Sequence, residues 1–171
     1  IKAPDTALSL CGMNRPGDSA GALTIANKLF EITKPTRSFF GKKDFQQLTL
    51  IKNFVIENNL PIQIISVDTV RELNGLAMSS RNNRLSKFDR EKASKLYETL
   101  SLIKDNSSNL SNEIIKSYKD ELTKKGFDVD YLTLCNPMTL KDLGDFNSKP
   151  ILVAIAASIS GFRPMDNLLI D

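Results

Sequence analysis

The feature that most constrains this chain is an alternation of helical and strand patterning between residues 21 and 67. From Gly21 to Thr33 the apolar positions Leu23, Ile25, Ala26, Leu29, Phe30 and Ile32 recur at near-helical spacing. Lys34-Pro35 stops that helix, and Ser38-Phe39-Phe40 reads as a short buried strand ending at Gly41. A second helix is predicted from Asp44 to Asn58, with Phe45, Leu48, Ile51, Phe54 and Val55 on one face. Asn58-Asn59-Leu60-Pro61 breaks it, and Ile62 to Val67 is a strongly β-branched run. This helix–strand–helix–strand order predicts part of a parallel α/β sheet.

After Gly75 the pattern changes. Ser86 followed by Asp89 resembles a capping box, and Phe88, Ala93, Leu96, Tyr97, Leu100 and Ile103 predict one helix reaching Lys104. A polar connection, Asn106 to Asn112, leads into a further helix from Asn112 to Lys125, which stops at Gly126 with two lysines in its last turn. Phe127, Val129, Tyr131 and then Leu134 begin an alternating strand. Ile151 to Ala157 is a nearly continuous apolar strand, and Asn167 to Ile170 reads as a final one. Two helices followed by three strands predict a small α+β domain, with a boundary near residues 74–86.

Composition narrows the chemistry. The 171 residues carry 23 Lys+Arg against 20 Asp+Glu and no histidine, which excludes Ser-His-Asp and Cys-His nucleophile systems and the common His-containing zinc sites within this chain. Proton transfer or phosphate handling must then use carboxylates, lysine, arginine, hydroxyls or backbone amides. The net charge of +3 is too small by itself to imply nucleic acid, and the lysines of residues 86–125 are interspersed with acids as on a solvated helix surface. Cys11 and Cys135 have no metal-ligand spacing and read as two reduced thiols. No stretch approaches the about 18–20 apolar residues of a membrane span and no basic-then-apolar leader is present, so a cytoplasmic location is expected.

Three polar clusters fall on connections, where functional residues concentrate. Gly12-Met13-Asn14-Arg15-Pro16-Gly17-Asp18-Ser19 has the glycine spacing of a P-loop, but Asp18 stands where lysine should be and would repel a phosphate. A Pro-Gly turn entering a helix is the better reading. Gly41-Lys42-Lys43-Asp44-Phe45-Gln46-Gln47 lies between a predicted strand end and a helix start, the ligand crevice of open α/β sheets. Glycine permits close backbone approach, lysine supplies a phosphate counter-charge, and Asp44 can accept ribose hydroxyls or simply cap the helix. Gly75-Leu76-Ala77-Met78-Ser79-Ser80-Arg81-Asn82 offers hydroxyls, a guanidinium and backbone N–H groups that can cradle a polyphosphate; the plain alternative is a polar linker before Ser86.

Together, Gly41 to Leu48 and Gly75 to Asn82 resemble the pantothenate synthetase (pantoate–β-alanine ligase) family, whose usual motifs are F-G-E-K-D-[FY]-Q-Q-L and G-L-A-x-S-S-R-N. Arg15-Pro16-Gly17 is similar to the family's S-R-P-G-H-F segment and Arg163-Pro164-Met165-Asp166-Asn167 to its R-L-I-D-N. The similarity extends over essentially all of the chain. The resemblance implies ATP-dependent condensation of pantoate with β-alanine through a pantoyl-adenylate, releasing AMP and pyrophosphate. It also implies a partial Rossmann-like nucleotidyltransferase domain followed by a small α+β C-terminal domain, commonly as a homodimer. On that reading residues 1–74 are the remainder of the ATP- and pantoate-binding domain, 75–85 the phosphate-binding loop and linker, and 86–171 the small domain.

Carried over by motif, Gly41, Lys42, Lys43 and Asp44 would line the ATP site, with Lys43 on phosphate and Asp44 at the ribose. Val70 would offer its backbone to the adenine, while Met78, Ser79, Ser80 and Arg81 would close on the triphosphate. Lys43 and Arg81 would carry the catalytic charge stabilisation, and Gln47 would bond pantoate. Mg²⁺ is expected with ATP, with no protein-only metal site, and neither nucleic acid nor membrane is expected as a partner. The family's H-x-G-H signature would lie upstream of Ile1, within about 90–110 further residues. Lys42 replaces the usual Glu, and Asp18, Ser19 and Ala20 replace the usual His-Phe-Arg. Those losses leave open a second reading, a non-catalytic nucleotide-binding or dimerisation module derived from the family.

Overall fold

A computed structural model describes residue 10 and residues 18–146 and 148–171, apart from the Asp18 side chain. The clusters around Arg15-Pro16-Gly17 and Cys11 lie outside the described residues. The chain forms two compact units. The first runs to Asp68 and includes Met138–Lys141; the second comprises Thr69–Pro137 and Asp142–Asp171. The 75–85 segment therefore belongs to the second unit.

The first unit is built from α1 (Asp18–Thr33), β1 (Arg37–Gly41), a 3-10 turn (Lys42–Asp44), α2 (Phe45–Glu57) and β2 (Gln63–Val67). β1 and β2 pair in parallel, with Ser38 opposite Ile64 and Gly41 opposite Val67. α1 ends because Lys34 takes a left-handed conformation, φ 43°, returns its N–H to Phe30 O at 2.8 Å, and precedes a proline. Leu23, Ala26 and Phe30 of α1 are buried with Leu50, Ile51 and Val55 of α2, and Phe40 meets Phe30 edge-on at 6.5 Å. The apolar periodicity of α1 merges two faces. Ile25, Leu29 and Ile32 are exposed, on the side away from that core.

The second unit contains a 3-10 turn (Ser80–Arg84), α3 (Lys87–Ala93), α4 (Lys95–Asp105), α5 (Asn112–Lys124) and the antiparallel strands β3 (Asp128–Cys135), β4 (Ile151–Ser158) and β5 (Met165–Ile170). The order is β3–β4–β5, so β4 is central, and its first seven residues are all buried. Ile151, Val153, Ile155 and Ala157 share one face and pack with Leu96, Leu100 and Ile103 of α4 and Leu122 of α5. Ser86 Oγ accepts Asp89 N–H at 3.0 Å and Ser111 Oγ accepts Ile114 N–H at 3.3 Å, so α3 and α5 begin at true caps. No helix of the described residues is long and apolar enough to cross a membrane.

Four sequence expectations change here: β1, read as a buried strand, has no buried residue, and its Phe39 is 63% exposed. The single helix predicted to Lys104 is broken at Ser94, whose hydroxyl bonds back to Glu91 O at 2.7 Å and competes with the helical ladder. Phe88, assigned to its apolar face, is instead exposed, with Lys92 Nζ 5.3 Å from its ring. In β3 the register shifts between Val129 and Tyr131, leaving Asp130 as a bulge that turns the buried phase from Val129 to Leu132 and Leu134. Arg163 donates to the Asp130 carboxylate at that bulge.

Leu100→Ala should cost about 2–5 kcal/mol in urea unfolding, because Leu100 is fully buried between α4 and the sheet. Leu102→Ala, on the same helix but 43% exposed, should change stability by less than about 1 kcal/mol. Equal losses for the two would contradict this packing.

Candidate functional site

The parallel pairing of β1 and β2 brings the carboxyl ends of both strands together, with Gly41 opposite Val67 and Asp68 next in sequence. There Lys42 Nζ donates to Asp68 Oδ1 at 2.6 Å. The hydrogen bond from Lys42, followed by its charge, holds the exposed Asp68 carboxyl below its ordinary range. The lysine found in place of the usual glutamate is therefore matched by an acid on the neighbouring strand end. Lys43, in the same 3-10 turn, has a side chain only 18% exposed, with Nζ 4.0 Å from Asp44 Oδ1. Asp44 occupies the N-cap position of α2 but makes no side-chain capping bond. Its carboxylate is half exposed and is not committed to the helix end.

Beside this turn, an open groove of about 860 Å³ runs along α1. Ile25, Leu29 and Phe40 give it apolar walls, Gly21 and Ala22 leave room at one end, and Gln47 adds an amide from α2. Ile25 and Leu29 of the exposed α1 stripe thus line this groove.

In the second unit, residues 70–78 fold as a tight hairpin. Met78 N–H donates to Val70 O at 2.9 Å, Arg71 bridges Ala77, and Glu72 N–H reaches Leu76 O at 2.8 Å. Val70 and Met78 are both exposed, whereas Leu76 and Ala77 are buried beneath them. Gly75 closes the turn with φ +88°, and a Cβ there would stand 2.4 Å from Tyr97 Cδ1, so conformation and space both require glycine. Ser79, partly buried, then caps the 3-10 turn through Arg81 N–H, and Ser80 and Arg81 lie exposed on that turn.

The hairpin is held by polar groups to which sequence reading gives no role. Asn82 is 2% exposed and donates to both Glu72 Oε1 at 2.8 Å and Ala77 O at 3.1 Å. Glu72 Oε1 also accepts Arg90 Nη2 at 2.8 Å. Arg71 forks onto Asp166 of β5 at 2.5 and 3.0 Å. Asn82 and Asp166 each belong to a motif that carries the resemblance, which was the available signal. Gly41, Lys42, Lys43, Asp44 and Gln47 lie together in the first unit; Val70, Met78, Ser79, Ser80 and Arg81 lie together in the second. Cys135 is fully buried, donates to Leu152 O, and has its thiol pushed up to about 12 by burial and Asp142, which makes it inert as a nucleophile.

The Glu72 pairing gives a pH prediction. The hydrogen bond from Arg90 lowers the Glu72 carboxyl below its ordinary 4.5 despite partial burial. A lowered folded value contributes stability that is complete above the unfolded value and is lost as pH falls through the folded one. Glu72→Gln should therefore be less stable than the parent at pH 7, and the difference should shrink in melts taken below pH 4.5. A difference independent of pH would show that the charge of Glu72 contributes nothing.

Comparison with known proteins assigns this architecture. The pantoate-beta-alanine ligase family profile matches residues 1–169. The chain is 39% identical to pantothenate synthetase of Shewanella loihica over 98% of its own length and 60% of that protein. It is 42% identical to the Leptospira biflexa enzyme, again over 98% of this chain and 60% of the relative. The crystal structure of pantothenate synthetase from Thermus thermophilus superposes with a TM-score of 0.90 at 34% identity, covering 99% of this chain and 62% of that one. That of pantoate-beta-alanine ligase from Francisella tularensis, complexed with beta-gamma ATP and beta-alanine, gives 0.75 at 32% identity, covering 99% and 57%. The chain thus spans about three fifths of the length of the curated relatives it matches. A partial nucleotidyltransferase-like α/β unit followed by a small α+β unit, carrying both motifs over nearly its whole length, makes this chain a member of the pantoate–β-alanine ligase family.

Proposed function

We propose that this chain carries the ATP- and pantoate-contacting loops of an ATP-dependent pantoate–β-alanine ligase. The observation that carries the reading is the groove along α1, where apolar Ile25, Leu29 and Phe40 face the amide of Gln47 beside the Lys43 turn. Pantoate is a small acid with a geminal dimethyl centre, two hydroxyls and a carboxylate. Apolar walls suit the dimethyl centre, and an amide that both donates and accepts suits the hydroxyls or the carboxylate. The relative from Francisella, complexed with beta-gamma ATP and beta-alanine, supports ATP and β-alanine as the other two reactants.

In this reading a pantoate carboxylate oxygen attacks the α-phosphorus of ATP and pyrophosphate leaves with the bonding pair. The amine of β-alanine then attacks the acyl carbon of the pantoyl-adenylate, AMP leaves, and the amine proton passes to solvent. Two anions must approach, so catalysis is alignment plus stabilisation of spreading charge. Lys43 and Arg81 supply that charge, Gly41 and Lys42 present backbone to the nucleotide, and Asp44, uncommitted as a cap, accepts from the ribose. Met78, Ser79 and Ser80 offer N–H and hydroxyl groups to the triphosphate, and Val70 faces the adenine. Mg²⁺ would enter with ATP, held by the nucleotide phosphates and neutralising part of their charge.

The test, run with the complete polypeptide including any segment upstream of Ile1, is pantoate-dependent exchange of labelled pyrophosphate into ATP. Lys43→Ala should lower the exchange rate by about two to three orders of magnitude. Gln47→Ala should raise the KM for pantoate with little change in that for ATP. An unchanged rate would remove Lys43 from the mechanism. ATP binding with no exchange in the parent protein would favour the non-catalytic module.

A further inference from the structure

We infer that Asp166, acting through Arg71, is the positioning residue for the loop of residues 75–82. What the loop holds rests on the nucleotide reading above; how it is held does not.

Asp166 sits on β5 opposite Ile155, so its side chain shares the sheet face on which Ile155 packs against α4. A carboxylate on that apolar face requires a cation, and it is buried to 5% exposure. The cation comes from 95 residues earlier in the chain. Arg71 Nη1 reaches Asp166 Oδ2 at 2.5 Å and Nη2 reaches Oδ1 at 3.0 Å. The same Nη1 also donates to Gly75 O at 3.1 Å. The guanidinium carbon lies 3.8 Å from the centre of the Tyr97 ring, the ring against which Gly75 is pressed.

One side chain therefore fixes three things: the terminal strand, the α4 ring and the carbonyl at the loop's tight turn. From that turn the hairpin passes directly through Ala77 and Met78 to the Ser79 cap. Geometry at Asp166 is thus transmitted to the N–H groups and hydroxyls of Met78, Ser79 and Ser80. Lysine cannot replace Arg71 here, because it lacks the planar fork and the stacking face.

The experiment is site-resolved amide hydrogen exchange on the parent chain, Asp166→Asn, Arg71→Lys and the double variant Arg71→Met/Asp166→Leu, all without nucleotide. In both single variants Gly75 and Met78 should exchange about tenfold faster while β4 keeps its protection. Removing both buried charges should return the melting temperature toward the parent's, since apolar pairs replace buried ion pairs well. The loop amides should nevertheless stay fast. Restoration of loop protection together with stability would overturn the inference, because the pair would then be merely structural. Unchanged loop exchange in the single variants would overturn it as well. Should Asp166→Asn fail to fold, Arg71→Lys and the double variant decide the matter alone. Adding ATP to the parent chain then tests the other claim separately. Slower exchange at Ser79 and Arg81 supports the nucleotide reading; no effect of ATP contradicts that reading and leaves the loop result standing.

Discussion

A carboxylate on the apolar face of a sheet is unstable without a cation, and in the second unit that requirement organises the loop. Asp166 is buried on β5, and Arg71 satisfies it with a two-point fork. Once Arg71 is committed, its second contact fixes the Gly75 carbonyl and its stacking fixes Tyr97. Glu72, Asn82 and Arg90 form a parallel brace on the neighbouring residue, so both side chains of the Arg71-Glu72 pair anchor the hairpin. The more accessible groups that follow, from Met78 to Arg81, owe their placement to buried ones.

The first unit solves a different problem. Parallel strands end side by side, and their carboxyl ends gather the residues that follow each strand. Lys42 and Asp68 neutralise one another at that edge, so the extra positive charge relative to the usual family motif is cancelled locally. Lys43 then remains as the less exposed cation of the turn, beside the uncommitted Asp44. The amide of Gln47, less than one helical turn into α2, reaches the groove that α1 walls with its exposed apolar stripe.

Strong periodicity was readable where a single physical demand governed it. The parallel unit, the cap at Ser86 and the continuous apolar β4 all follow from local pattern, whereas the Ser111 cap lay hidden within the polar connection. Pattern misled where two demands overlapped. The apolar positions of α1 serve a core and a groove at once, and the bulge at Asp130 resets the β3 alternation for the sake of strand pairing. Motif spacing marked the segments 41–47 and 75–82, because backbone approach and phosphate charge leave local traces. The motif around Asp166 marked that residue but not its pairing with Arg71, since the partners are 95 residues apart and no local pattern links them.

On the proposed reading, Val70 and the hairpin it opens face the adenine of bound ATP, and the rest of the nucleotide assignment follows from that placement. Photolabelling with 8-azido-ATP in the presence of pantoate, followed by tryptic mapping, tests it directly. Label in the peptide of residues 53–71, which contains Val70, and its loss when unmodified ATP competes, is the predicted result. Label confined to other peptides, or label indifferent to ATP, would contradict it.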